Sequence, residues 1–145
     1  MNPSIEGVWR LRCDGGARGN PGPAAYGFVL VDPAGHEVAA HGEYIGNATN
    51  NVAEYRALIA GLEAAADQGV PALEVVMDSE LVIRQMTGQY RVKNEGLKPL
   101  HAQARRTAAR LTQVTYASVR RDFNARADAL VNEALDRVLG PESPR

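Results

Sequence analysis

The sequence predicts one α/β domain built on a mixed β-sheet, and three observations carry that prediction. A length of 145 residues suits a single domain. Hydrophobic residues at 45% and charged residues at 23% are ordinary for a globular chain. Strand-like segments alternate with helical ones in the order three strands, helix, strand, helices, strand, helix. The same composition excludes a collagen-like rod, a coiled coil and a disordered tail. The longest apolar run falls far short of the ~20 residues of a membrane span. The single cysteine, Cys13, cannot form an internal disulfide. The opening residues lack the basic patch and apolar core of a signal peptide. The expectation is a cytoplasmic monomer with no membrane or protein partner.

Each element has its own signal. Residues 8–13 alternate apolar and basic, residues 26–31 form a short buried-type run, and residues 37–45 are a weaker third strand. Residues 14–23 between the first two are dense in turn formers, and Pro33-Ala-Gly35 separates the next pair. Both connections read as hairpins, with Asp14 ending the first strand. Residues 51–68 have helical periodicity, stopped by Gly69 and Pro71. Residues 73–77 are apolar and β-branched, as a buried strand is. Residues 79–86 are a short helix, 87–96 irregular, 97–111 a second long helix, 114–119 a strand and 124–139 a final helix. The domain is expected over 1–139, with 140–145 as a disordered tail.

Net charge is −1, which argues against indiscriminate binding of polyanions. Its distribution is uneven. Between Arg84 and Arg121, nine basic residues against one acid (Glu95) give +8, and seven against sixteen leave the rest at −9. Such a split suits either a polyanion-facing surface or a solvated helix face.

Four acids stand in unusual places. Asp14 opens a glycine-rich turn, where Asp-Gly is also a common turn pair. On its helix, Glu54 points about 200° from the charged stripe of Arg56, Glu63 and Asp67, beside the apolar face. Asp78 follows a strand, at the carboxyl edge where α/β sheets bind ligands, and also fits a helix cap. Asp128 lies about 160° from the exposed face of Arg126, Glu133 and Arg137, in line with Leu135 and Leu139. Acids converging on one edge would repel and desolvate unless a divalent cation neutralised them. Oxygen donors favour Mg2+ or Mn2+ over zinc, and two such ions about 3.5–4 Å apart suit phosphodiester cleavage.

Four segments together resemble the signature segments of type I ribonuclease H. They are Asp14-Gly-Gly-Ala-Arg-Gly-Asn-Pro-Gly-Pro-Ala-Ala-Tyr-Gly27, Thr49-Asn-Asn-Val-Ala-Glu-Tyr-Arg-Ala-Leu58, Met77-Asp-Ser79 and Asn124-Ala-Arg-Ala-Asp128. The resemblance runs in order from about residue 8 to residue 136. It implies a five-stranded mixed sheet with helices on both faces. It also implies hydrolysis of the RNA strand of RNA/DNA hybrids by two metal ions, leaving 5′-phosphate and 3′-hydroxyl ends. Asp14, Glu54, Asp78 and Asp128 match the metal-binding quartet, with Mg2+ as cofactor and Mn2+ as a substitute. Asn20 and Thr49 match positions near a DNA phosphate, and Asn50 and Asn51 positions facing bases and sugars. Gly15 and Gly16 would let the backbone approach the RNA strand.

Two departures stand out. Many members carry a long Lys- and Trp-rich insertion after the third acid; here only Thr87-Gly-Gln-Tyr-Arg-Val-Lys-Asn94 stands in its place. Tyr90, Arg91 and Lys93 are expected to supply a shorter substrate grip, with packing of Tyr90 the equal alternative. Many members also have a mobile His before the fourth acid, where this chain has Val119-Arg-Arg-Asp-Phe-Asn124. Arg121 resembles the arginine of the short, archaeal-like branch and is counted with the catalytic set. His36, His41 and His101 read as surface residues. A resolvase-like nuclease would share the acids but not the Gly-Asn-Pro-Gly turn or the Thr-Asn-Asn segment. A binding module would lose acids, and a calcium-binding structural protein would bind without turnover.

Overall fold

Five strands form one sheet in the order β3-β2-β1-β4-β5 in a computed structural model that describes residues 7–140. The strands are β1 (Trp9–Ala17), β2 (Gly22–Val31), β3 (Glu37–Ala48), β4 (Ala72–Met77) and β5 (Gln113–Ser118). The helices are α1 (Asn50–Asp67), α2 (Glu80–Met86), α3 (Lys98–Ala108) and α4 (Ala125–Leu139), the last entered through a 3₁₀ turn, Arg121–Asn124. The hairpin strands β1, β2 and β3 pair antiparallel, while β1–β4 and β4–β5 pair parallel. The sheet is therefore mixed, as the order of elements required. Of the tail expected at 140–145, residues 141–145 lie outside the described residues.

Alternation along the strands sends side chains to two cores. Leu11 and Cys13 of β1, Tyr26, Phe28 and Leu30 of β2, and Leu73, Val75 and Met77 of β4 share one face. There they meet Tyr55, Leu58, Ile59 and Leu62 of α1, with Val82 and Ile83 of α2 and Ala104 of α3 behind. On the other face, Val131, Ala134 and Leu135 of α4 pack on Ala25, with Tyr44 at the edge. Here Gly27 is required by close approach. A Cβ on it would stand 2.8 Å from Leu130 Cβ and 2.9 Å from the Ala127 carbonyl oxygen, so a side chain would push α4 off the sheet.

The structure corrects three expectations. The first hairpin is longer: the ladder continues through Asp14↔Gly27, Gly15↔Tyr26, Gly16↔Ala25 and Ala17↔Ala24. Asp14 thus sits inside β1 rather than at its end. Glycine's turn propensity is overridden because β2 pairs with the segment along its length and Asn50 accepts from the Ala17 N–H on the other side. The second long helix ends at Ala108 rather than 111, its last residues closing as tight turns from Arg110 N–H to Thr107 and Leu111 N–H to Ala108. His101 is half-buried: its ring stands edge-on to Tyr55 at 6.3 Å, with Nε2 3.2 Å from the Gln85 carbonyl oxygen. His36 and His41 are exposed as expected.

Candidate active site

Each of the four acids comes from a different element. Asp14 projects from the middle of β1, and Asp78 follows the last residue of β4. Glu54 lies in the second turn of α1 and Asp128 in the first turn of α4. They line one cleft of about 570 Å³, together with Gly15, Gly16, Arg18, Asn50, Arg121 and Asn132. The cleft opens where parallel pairing of β1 with β4 stops, at Arg12↔Val76. Beyond that pair the strands separate, the place where α/β sheets present ligands.

Convergence shows in the protonation of the acids. Asp14 is 8% exposed, and its pKa is pushed up to about 8. Burial is the main cause, followed by the Asp78 charge, a carboxyl–carboxyl hydrogen bond with Asp128, and the charges of Asp128 and Glu54. Glu54 rises to about 7, again chiefly by burial and partly by Asp78, against a hydrogen bond from Ser79 and the Arg121 charge. Arg121 Nε stands 3.6 Å from Asp78 Oδ2, on an arm 83% exposed to solvent. Asn132 Nδ2 donates to the Asp128 carbonyl at 3.2 Å and lies 3.4 Å from Asp128 Oδ2. Among the described residues, no three His, Cys, Asp or Glu side chains already stand at the spacing of a closed cation cage. Four carboxylates, one of them holding a proton against a neighbour, nonetheless form the oxygen-only donor set that a hard divalent cation fits, since a cation would displace that proton and cancel the repulsion.

Beside the acids, the polar residues of the first two motifs form a latch. Asn20 Oδ1 accepts from the Asn50 N–H at 3.0 Å, and Asn50 Oδ1 accepts from the Ala17 N–H at 2.8 Å. Thr49 caps α1, its Oγ1 accepting from the Val52 N–H at 3.2 Å. The β1–β2 turn is thereby tied to the helix N-terminus. Among the described residues the Nδ2 groups of Asn20 and Asn50 have no protein acceptor, so both remain donors; Asn51 follows on the same helix end, half-buried. Arg18 reaches across the turn to Asp136 of α4 at 2.6 Å.

Gly15 has a packing reason besides the expected one. A Cβ there would lie 2.3 Å from the Ala53 carbonyl carbon and 2.4 Å from the Glu54 nitrogen, so glycine is needed for α1 to cross β1. Gly16 meets only Val131 Cγ1 at 3.9 Å and keeps its backbone toward the cleft.

Tyr90, Arg91 and Lys93 are not gathered with the acids. They border separate hollows of about 430 and 530 Å³ beside α2, the first also lined by His101 and Arg105. Tyr90 is 46% exposed, with the Arg84 guanidinium 5.4 Å over its ring. Folding also breaks up the basic stretch. Arg84, Lys98, Arg110, Arg120 and Arg121 each face an acid (Glu80, Glu95, Asp67, Asp122 and Asp78), whereas Arg91, Lys93, Arg105 and Arg106 face none among the described residues.

Sequence reasoning missed Arg12, Arg18, Asn124 and Asn132. Asn132 was legible, being four residues after Asp128 on one helix face. The others act across more than 100 residues of chain, which no local pattern reports.

Comparison with known proteins agrees with this arrangement. The profile of the reverse transcriptase-like family matches residues 12–134. A bifunctional protein of Mycobacterium tuberculosis is 48% identical over 127 residues, 87% of this chain and 35% of its own length. The chain thus spans about a third of that relative. A ribonuclease HI of Halobacterium salinarum is 50% identical over 136 residues, 94% of this chain and 68% of its own. The crystal structure of LC11-RNase H1 in complex with an RNA/DNA hybrid superposes with a TM-score of 0.86 at 45% identity, covering 90% of this chain and 99% of that one. No described helix is long and apolar enough to cross a membrane. A five-stranded mixed sheet with α4, of the described helices, alone on one face, four acids at its β1–β4 opening and this set of relatives place the chain in the reverse transcriptase-like family, among the type 1 ribonucleases H.

Proposed function

We propose that the protein is an endonuclease that hydrolyses the RNA strand of RNA/DNA hybrids, leaving 5′-phosphate and 3′-hydroxyl ends. The observation that carries this reading is the meeting of Asp14, Glu54, Asp78 and Asp128 in one cleft directly beside the Asn20–Asn50 latch. A relative with 45% identity that binds such a hybrid supports the choice of substrate.

Asp14, Glu54, Asp78 and Asp128 would hold two Mg2+ ions, with Mn2+ as a substitute. When bound, such ions lower the pKa of water and stabilise charge on the leaving oxygen. The chain's own groups do the remaining work. The Nδ2 donor of Asn50, with Asn51 beside it on the helix end, reaches sugar and minor-groove acceptors, which distinguishes ribose from deoxyribose without reading sequence, while Asn20 and Thr49 approach a phosphate of the DNA strand. Gly16 presents bare backbone to the RNA strand. Arg121, on an exposed arm within reach of Asp78, supplies a planar fork for the scissile phosphate, and its guanidinium stays charged at every working pH. Arg91 and Lys93 hold phosphates of the distal part of the duplex.

The test is incubation with end-labelled hybrid and Mg2+, alongside all-DNA and all-RNA duplexes and an EDTA control. Cleavage of the hybrid's RNA strand alone, abolished by EDTA, is expected. Efficient cutting of all-DNA duplex would refute the reading in favour of a resolvase-like nuclease.

A further inference from the structure

Asn124 is out of character for its position. It is the N-cap residue of α4, where an asparagine side chain ordinarily accepts from the helix's own first N–H groups. Here it makes no capping bond. Its amide instead turns into the interior, where the residue is 1% exposed, and Nδ2 donates to the Cys13 carbonyl at 2.7 Å. The amide oxygen is left buried with no hydrogen-bond partner among the described residues. A helix cap has been given up and an acceptor stranded, and what results is a single short bond to β1.

The two ends of that bond are informative. Cys13 immediately precedes Asp14, and Asn124 stands four residues, about one turn, before Asp128. A second bond runs the other way across the same joint: Arg12 Nη1 donates to the Phe123 carbonyl at 3.0 Å. Arg12 is also the last residue of β1 in register with β4. Past it the ladder no longer holds the strand on that side, and the Asn124 amide takes over one residue later. Asp14 and Asp128 are thus each carried by backbone pinned just upstream, to one another's element, by a reciprocal pair of side-chain-to-backbone bonds.

We propose that Asn124, paired with Arg12, is a positioning residue that sets the spacing of Asp14 and Asp128 and so the affinity of the acid cleft for a divalent cation. The inference rests on the reading of that cleft as a cation site. Neither residue lines the cleft, and both act through the backbone that carries the ligands. Outer partners of this kind typically govern metal affinity by 10–100-fold. Replacing Asn124 by Leu removes the stranded oxygen but also takes the donor from the buried Cys13 carbonyl, so folding stability should fall somewhat while positioning is lost.

Mg2+ binding to the metal-free protein, followed by the rise in thermal midpoint as Mg2+ is titrated, is the deciding measurement. Asn124→Leu, Asn124→Ala and Arg12→Ala should each need about tenfold more Mg2+ for half the rise. Arg12→Lys should recover part of the loss, and the Arg12→Ala, Asn124→Leu pair should be less than additive because both bonds span one joint. At saturating Mg2+, KM for the hybrid should stay within about twofold of the unaltered protein, as a positioning effect confined to the cation site requires. Folded variants with an unchanged Mg2+ midpoint would overturn the proposal, as would a raised KM with that midpoint intact. Should the Asn124 variants fail to fold, Arg12→Ala, at a half-buried side chain, decides alone. Absence of any Mg2+-dependent stabilisation in the unaltered protein would refute the cation site itself, and this inference with it.

Discussion

Asp14 is a ligand position that should weaken the fold when no cation is present. Its pKa in the folded protein is raised to about 8 from the ordinary 3.8, mainly by burial and then by the neighbouring acids. Between those values the folded protein holds a proton that the unfolded chain has released. Stability in EDTA should therefore fall as pH rises from about 4 to about 8, with a limiting slope of ~1.4 kcal/mol per pH unit. The full interval would amount to about 6 kcal/mol, an upper bound because Asp14 is coupled to its neighbours and the cleft admits water. A realistic share is roughly a third, about 2 kcal/mol. Asp14→Asn keeps the shape and removes the charge, so the variant should be the more stable protein at pH 8. For a chain of this size that is about 4–8 °C in thermal midpoint. The assay is thermal unfolding of both proteins in EDTA from pH 4 to pH 8.5. Glu54 titrates in both, so the informative quantity is the difference between the two curves. They should merge near pH 4, diverge up to about pH 8 and run parallel above it. Saturating Mg2+ should stabilise the unaltered protein more than the variant and reverse their order at pH 8. A gap independent of pH would refute the reasoning, because Asp14 would then be ionised throughout.

Asp78→Asn should remove nearly all cleavage while leaving hybrid binding, measured by gel shift in Ca2+, largely intact; turnover near that of the unaltered protein would sink the assignment of the acids. Neutralising Arg91 and Lys93 together should flatten the dependence of log binding constant on log salt by roughly two phosphate contacts, and an unchanged slope would return them to solvent. Arg121→Ala should lower turnover by tens of fold with little change in thermal midpoint, since its contact with Asp78 is exposed and worth about 1 kcal/mol or less; Arg121→Lys should recover only part of the rate. Gly15→Ala should be severely destabilising with or without Mg2+, because the added methyl meets the backbone of α1; a thermal midpoint like that of the unaltered protein would refute the packing argument.

Much of this site was legible in the chain because its signals are local. Helical spacing alone turned Glu54 and Asp128 toward the interior, and the end of the apolar, β-branched run at residues 73–77 put Asp78 at a sheet edge. The glycine-rich and Thr-Asn-Asn segments carried the family without any structure. Even so, local propensity misplaced Asp14, since the turn-forming glycines after it are held in strand by β2. It also left the nine basic residues open between a polyanion-facing surface and a solvated helix face, when folding brings Asp67 of α1 against Arg110 and Asp78, beyond β4, against Arg121.

Tertiary structure decided everything that depends on two distant segments meeting. Gly15 has to be glycine because a helix nearly 40 residues later crosses it. His101 is half-buried because Tyr55 and Gln85, on two other helices, close around it. The Asn20–Asn50 latch spans 30 residues, and the Asn124–Cys13 and Arg18–Asp136 bonds span 111 and 118. Periodicity and turn chemistry describe a residue's relation to its own neighbours within a turn or two. Which donor finds which acceptor across the sheet is set only when burial brings the elements together and leaves each polar group no other partner.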